Sequence, residues 1–440
     1  MNTPTIGRHG RPGFLGRWGS PSAFSTLAGS GALLLAAGLG ACGAPAEDAP
    51  DATVAEAAPQ VRLGIEVLLT DSLHLVKGKR VGLITNHSGM DRNGKTTIDL
   101  LHEHPDIELV ALFGPEHGIR GDALAGVEVS DSVDAKTGVP VYSLFGSTFE
   151  MTPEMLENVD ALVYDIMDVN VRYYTYPSTM AYGMEAAAKK GIPFIVLDRP
   201  NPIRGDVVQG NILDPTFSSF VGRYPVPMRH GLTMGELAKL IAGEFGVSAD
   251  VHVVPAEGWR RNMTFDQTGL PWVKPSPNLP TLAAALAYSG TCLFEGTPLS
   301  VGRGTDFAYE WIGAPWLDGV ELAAALNAYA IPGVTFEPAT FTPGTAADKK
   351  FEGVEVHGVR FVPVSSDYDA PKAAIAALVE IYKRSQGNWK WSEDEFDRLS
   401  GTDQIRLAVD AGKTMQEITA GWDEADAAFK QLSAPYLIYR

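Results

Sequence analysis

The chain has 440 residues, with 53 Asp+Glu against 35 Lys+Arg and a formal charge of -18. Its 45% hydrophobic and 20% charged content suits a globular protein and excludes wholesale disorder. So acidic a surface repels phosphate backbones and argues against a nucleic-acid partner, and two Cys cannot build a disulfide framework or a Cys-rich metal site.

Residues 1–41 have the anatomy of a signal peptide. Arg8, Arg11 and Arg17 precede an apolar run from Leu27 to Leu39, and no acid occurs before Glu47. The run is too short to span a membrane as a mature helix. It ends in Leu39-Gly40-Ala41-Cys42, which resembles the lipobox of bacterial lipoproteins. That resemblance implies lipidation of Cys42, which becomes the new N-terminus, and a membrane partner through the lipid anchor. The expected location is the cell envelope, facing the periplasm. Gly43 after the Cys, where inner-membrane retention calls for Asp, favours the outer membrane. Residues 42–61 are rich in Ala, Pro and acid and read as a flexible tether. Cys292 is then left without a partner in the chain.

The folded part divides into 62–267 and 268–440. Short apolar runs predict strands at 81–85, 108–113, 139–142, 161–164 and 193–197. Helices are expected over 98–104 and 179–190 between them. Near-continuous apolar strands alternating with helices indicate a Rossmann-like, doubly wound parallel sheet, an α/β class. Thr233-Met234-Gly235-Glu236 is a capping box that opens a helix with Leu237, Leu240, Ile241 and Phe245 on one face. Val251–Val254 reads as one more strand. The Pro-rich stretch from Gly269 to Pro280 marks a junction. Beyond it, helix-like runs (282–288, 322–329, 373–382) and strand-like runs (334–336, 354–361) indicate a smaller α+β C-terminal domain.

In an open parallel sheet, ligands bind beyond the carboxyl ends of the strands. Polar clusters fall at those ends here: Asn86-His87, Glu116-His117, Asp165 with Asp168, and Asp198-Arg199 with Asn201. Their joint placement points to a site along that rim. No GxGxxG follows the first strand, and neither a P-loop nor a GxSxG elbow is present. A metal site from His87, His117, Asp165 and His230 is conceivable, although no HExxH or spaced cluster supports it. Carboxylate chemistry remains. Glycoside cleavage needs an acid for the leaving oxygen and usually a second carboxylate. Glu116, held on a Gly-bounded turn, suits a general acid, and burial would raise its pKa toward that role. His117 would orient it or move protons. For both, a purely structural role stands level with the catalytic one at this point. Arg172, Arg229 and Arg303 would match an anionic group. Tyr174, in the Tyr173–Tyr176 run, would stack on a sugar ring.

These motifs resemble the exo-β-N-acetylmuramidase family (NamZ), from about Arg62 to the C-terminus. The stretches that carry the resemblance are "GLITNHSG", "LFGPEHGIRG", "VPVYSLFG", "VRYYTYPSTM", "FIVLDRPNPI", "YPVPMRHGLTMGELA", "WVKPSPNLPTL" and "LSVGRGTD". The resemblance implies a Rossmann-like domain and a smaller C-terminal domain with the active site between them. It implies release of N-acetylmuramic acid (MurNAc) from the non-reducing end of peptidoglycan fragments of the MurNAc-GlcNAc type, with no nucleotide or organic cofactor. The family's catalytic Glu-His pair falls on Glu116 and His117, and the lactyl carboxylate of MurNAc gives the Arg candidates a purpose. The motifs also place Asp306 and Glu310 beside the substrate. The chain departs from the family at Met167 (commonly Gln), Asn170 (commonly Gly) and Pro298 (commonly Asn). Those departures motivate an alternative, a non-catalytic muropeptide-binding lipoprotein. Asp165, Asp168 and Glu310 are the candidates for a second catalytic group.

Overall fold

The computed structural model describes residues 60–121, 130–346 and 348–440. The expected signal peptide, Cys42 and nearly all of the tether lie outside these residues. The described chain from Gln60 onward forms one compact unit. Its packing begins at Val61, which is fully buried.

Among the described residues the main sheet has seven strands. They are β1 (Arg80–Thr85), β2 (Glu108–Gly114), β3 (Ser132–Val133), β4 (Pro140–Ser143), β5 (Ala161–Asp165), β6 (Phe194–Leu197) and, after a two-stranded excursion, β9 (Val251–Val254). The order is β3-β4-β2-β1-β5-β6-β9, parallel throughout except for the short edge strand β3. The chain starts in the middle at β1, builds outward through β2 and β4, then returns to build the other half from β5. That reversal between β1 and β5 is the switch point of a doubly wound sheet.

Side-chain alternation explains the two layers. Val81, Leu83, Val163 and Ile195 face helices α1 (Gly64–Thr70) and α2 (Thr97–His102). Ile84, Phe113, Leu162 and Phe194 face α3 (Thr175–Lys190) and α4 (Met234–Glu244). Both neighbours of each strand residue are apolar, so the strands read as continuous runs. The expected capping box opens α4: Thr233 Oγ1 accepts from the Glu236 amide at 3.2 Å, and Glu236 accepts from the Thr233 amide at 3.0 Å. Helix α3 begins four residues before its expected start, because Thr175–Ser178 continue its buried face.

The excursion is an antiparallel pair, β7 (Gln209–Ile212) and β8 (Pro227–Arg229), between β6 and α4. The C-terminal domain is smaller. Its sheet, β10 (Trp311–Ala314), β12 (Val356–Pro363) and β11 (Val334–Phe341), is antiparallel. Helices α5 (Leu282–Thr291) and α6 (Gly319–Asn327) pack on it, α7 (Ala370–Arg384) packs on those two helices, and α8 (Glu393–Ser400), α9 (Gln404–Asp410), α10 (Met415–Ile418) and α11 (Trp422–Ser433) follow. The apolar layer under α3 and α4 runs without a break into this domain. Strand β10 and helices α8 to α11 were not foreseen: β10 is only four residues long, and most of the helices mix charged residues into their apolar pattern.

Helices α5 and α7 meet at Gly290, where an added Cβ would lie 2.1 Å from the Ala370 carbonyl oxygen. Gly290→Val should therefore destabilise the protein by about 1–3 kcal/mol or more through overpacking. Chemical denaturation measures this, and an unchanged midpoint would contradict the close helix contact.

Candidate active site

The crevice at the switch point is filled by the chain itself. Gly89 passes so close to β1 and β5 that a Cβ would lie 2.2 Å from Thr85 Oγ1 and 2.6 Å from the Asp165 carbonyl. Ser88 Oγ accepts from the Met167 amide at 2.9 Å. Asp165 and Arg199 form a buried ion pair at 2.6 Å, and Thr97 Oγ1 donates to the other Asp165 oxygen at 2.5 Å. What remains of the crevice, against Met167 and Arg199, is about 20 Å3.

The large cleft, about 840 Å3, lies to one side of this plug. That volume is within the range of small-molecule sites. Its near wall comes from the loop after β2 and the start of α3; its far wall comes from the C-terminal domain. On the near wall stand Glu116, His117, Tyr173, Tyr174 and Thr175. Pro115–Gly118 is a tight turn closed by a 2.9 Å bond from the Gly118 amide to the Pro115 carbonyl. His117 has φ +72° there, a conformation that usually belongs to Gly. Holding it costs on the order of 1 kcal/mol or more, strain of the kind that clusters at functional sites. His117 is buried, and Thr175 Oγ1 donates to Glu116 Oε2 at 2.8 Å. Thr175 is the first residue of the 16-residue helix α3, so the helix fixes the position of this hydroxyl.

Aromatic rings connect the two walls. Tyr174 meets Tyr288 edge-on at 5.8 Å, and Tyr288 meets Tyr309 at 4.7 Å. Tyr309 also has a positive φ, +67°. Its hydroxyl donates to Glu295 at 2.6 Å, and Arg303 pairs with the same carboxylate. Burial would raise the Glu295 pKa, but the Arg303 charge and the Tyr309 bond hold it below the ordinary value. Burial lowers Lys350, which donates to the Glu295 and Thr297 carbonyls at 2.6 and 2.9 Å. Burial also pushes the Glu395 carboxyl up. Lys349 is exposed on the same loop. Glu295, Lys349, Lys350 and Glu395 line the cleft, and sequence reasoning missed them. They sit in a turn and on two short helices, one of them a 3-10 helix at Cys292–Gly296, with no periodicity to place them.

Of the sequence-derived candidates, Glu116, His117, Tyr174 and Arg303 line the cleft. The others serve elsewhere. Arg172 and Arg229, expected as anion clamps, are fully buried among backbone carbonyls. Arg172 donates to the carbonyls of Asn211, Val226, Leu399 and Ser400. Arg229 donates to Gln209 Oε1 and to the carbonyls of Ile203 and Tyr368. Asn86 donates to the Tyr176 hydroxyl at 2.7 Å, which itself bonds the Pro275 carbonyl. His87 bonds the Lys274 carbonyl at 2.7 Å. Asp198, with its pKa pushed up to about 6 by burial, accepts from Thr233, Gly235 and Tyr439. Asn201 bonds Leu232 and Ile203. His230 is buried, and burial lowers its pKa to about 3. Glu310 pairs with Arg360 at 2.9 Å, and Asp306 is exposed outside the cleft lining. Hence Asp165 and Glu310, expected as second catalytic groups, are neutralised by Arg partners away from the cleft. The four residues considered for a metal do not come together. Among the described residues no group of three or more His, Cys, Asp or Glu is placed to hold an ion.

The two halves of the folded chain match the models for the N-terminal (residues 81–283) and C-terminal (residues 286–439) parts of exo-β-N-acetylmuramidase NamZ. The chain belongs to the NamZ family. It is 48% identical over 383 residues to the peptidoglycan β-N-acetylmuramidase NamZ of Bacillus subtilis (strain 168), covering 87% of this chain and 92% of that one. Two crystal structures of DUF1343 family proteins from Bacteroides fragilis NCTC 9343 share the fold. One has TM-score 0.80 at 37% identity, the other 0.71 at 34%; each match covers 87% of this chain and 99% of that one. The three NamZ departures avoid the cleft lining. Met167 is buried against the plugged crevice, and Pro298 lies beyond Thr297 outside the lining. Asn170 adopts φ +58°, which explains why a Gly position tolerates Asn.

Asp168 is fully buried behind Tyr174 with its pKa pushed up to about 8. A buried acid with a raised pKa binds its proton more tightly in the folded state, so stability falls as pH rises from about 4 to about 8. Asp168→Asn removes this component. The stability of the variant minus that of the wild type should increase steadily across that window in denaturant titrations, and a pH-independent difference would contradict it.

Proposed function

We propose that this chain is an exo-acting glycoside hydrolase that releases N-acetylmuramic acid from the non-reducing end of peptidoglycan fragments of the MurNAc-GlcNAc type. The observation that carries the reading is Glu116 beside the strained His117 on the wall of a cleft of sugar size. Glu116 gives its proton to the bridging oxygen as the bond to the anomeric carbon breaks; water adds its oxygen to that carbon, and the proton the water loses restores Glu116. Thr175 fixes the carboxyl group, and His117 assists the proton movement. Tyr174 and Tyr288 supply ring surface for the sugar. The lactyl carboxylate meets the basic side of the cleft, Lys349 above all, since Arg303 is engaged by Glu295. The B. subtilis relative's name supports the same substrate class. The departures that motivated a non-catalytic binder lie off the cleft and leave its walls intact. In this reading the enzyme is a lipoprotein held by Cys42, facing the periplasm, with the acidic tether between anchor and catalytic part.

A chromogenic MurNAc glycoside tests the chemistry. Glu116→Gln should lose about 10²–10⁴-fold in rate, and Lys349→Ala should erode the preference for MurNAc over GlcNAc glycosides. An undiminished Glu116→Gln rate would sink the assignment. For the anchor, labelled palmitate should enter the wild type in cells and not Cys42→Ser. Equal labelling of both would overturn it.

A further inference from the structure

The mouth of the cleft carries an aromatic surface that the hydrolytic step does not use. Between β7 and β8, Ser219 and Gly222 exchange backbone bonds of 2.8 and 3.2 Å, leaving Phe220 and Val221 at the tip of a tight turn. Such tips are normally occupied by Gly, Asn, Asp, Pro or Ser. Val221 lines the cleft. Phe220 turns to a row of rings instead: it stacks on Phe149 at 4.2 Å and 29°, and lies 6.0 Å from Phe145 and 6.3 Å from Tyr182. Phe149 is 36% exposed. Arg223 caps Tyr182 at 4.1 Å and pairs with Glu185 at 2.6 Å, closing one edge with charge.

Two links tie this row to the reacting end. Leu144, just before Phe145, donates its amide to the Gly114 carbonyl, two residues before Glu116, so both loops leave adjacent strand ends. Tyr182 lies seven residues along α3 from Thr175, or about 10 Å at the helical rise. A short saccharide spans that distance.

We propose that Phe149 and Phe220 form a platform for the sugars on the reducing-end side of the scissile bond. This rests on the hydrolase reading and adds to it the place where the leaving saccharide is held. Pyranose rings present flat C–H faces that suit such rings, whereas charged peptide stems would find only the Arg223–Glu185 edge. The platform therefore selects for continued glycan.

The test compares kcat/KM on the MurNAc-GlcNAc disaccharide and a longer fragment with kcat/KM on methyl MurNAc, which has no further sugar. In Phe149→Ala/Phe220→Ala the saccharide-to-methyl ratio should fall about tenfold, chiefly through KM. Phe149→Trp, which keeps a flat ring, should hold the ratio near wild type. Phe149→Ser alone, at a side chain already partly in water, guards against a folding defect and should lower the ratio in the same direction. An unchanged ratio in Phe149→Ser and the double variant overturns the platform while leaving the hydrolase intact. A wild type that cleaves none of the three substrates overturns the hydrolase reading itself.

Discussion

The cleft exists because a buried guanidinium fastens its two walls together. Arg172 is stripped of water, and burial lowers its pKa to about 10, so it stays charged at neutral pH. Four backbone carbonyls replace the lost hydration. Two of them, Leu399 and Ser400, are the last residues of α8, where the helix dipole is negative and favours a cation. Tyr173, Tyr174 and Thr175, which follow Arg172 directly, form the near wall; Glu395 and Leu399 on α8 belong to the far wall. Arg172 therefore ties the α8 side of the site, while Tyr173, Tyr174 and Tyr288 tie the other. A glycine makes room for the guanidinium: a Cβ on Gly401 would lie 3.0 Å from Arg172, and Gly401 has φ +69° as well, while Gly222 borders the same side chain at ordinary contact distance. Gly222 closes the turn that presents Phe220, so the mouth of the cleft rests on the same group.

The plugged switch point follows from the same economy of polar groups. A parallel sheet leaves amides, carbonyls and charged loops at its carboxyl edge, and each must find a partner. Here Asn86, Ser88, Asp165 and Arg199 satisfy one another in place of a ligand. A buried ion pair is tolerable only when its remaining sites are bonded. Asp165 meets that condition through Thr97, and Arg199 through the Met90 carbonyl. The rim is thereby rigid, and the chemistry moves sideways to the loops that extend beyond it.

This explains which parts of the molecule could be read in advance. The central strands of the main sheet are buried on both faces, so their composition alone declares them, whereas the exposed two-residue edge strand β3 was not foreseen. Glu116 and His117 could be placed on the rim because their Gly-bounded turn follows a strand end, but the residues alone left a structural role level with a catalytic one, and only the NamZ motif singled them out. Arg172 and Arg229 were misjudged for a general reason: a sequence shows that an Arg is present, but not whether carbonyls or a substrate will meet it. Both answers satisfy the same donors. Glu295, Lys350 and Glu395 were invisible because the far wall is assembled from distant segments of the C-terminal domain, and nothing local marks residues that only the tertiary fold brings together.

The acidity of the chain poses a question about its substrate, since an anionic sugar must approach a protein of charge -18. Screening limits that repulsion to about 8–10 Å, so the charges within the cleft decide. There Glu295 and Asp348 both lie beside Arg303. Glu295 is ionised but paired with Arg303. Glu395 is pushed toward its uncharged form by burial and by the nearby Glu295 charge, against the pull of Lys350. Beside them the far wall presents Lys349 and Lys350 to an incoming carboxylate. On the near wall Glu116 is held by the Thr175 hydroxyl at the start of α3. A sugar acid entering this field is oriented by it: its carboxylate is drawn to the C-terminal side, which turns the rest of the ring toward Glu116.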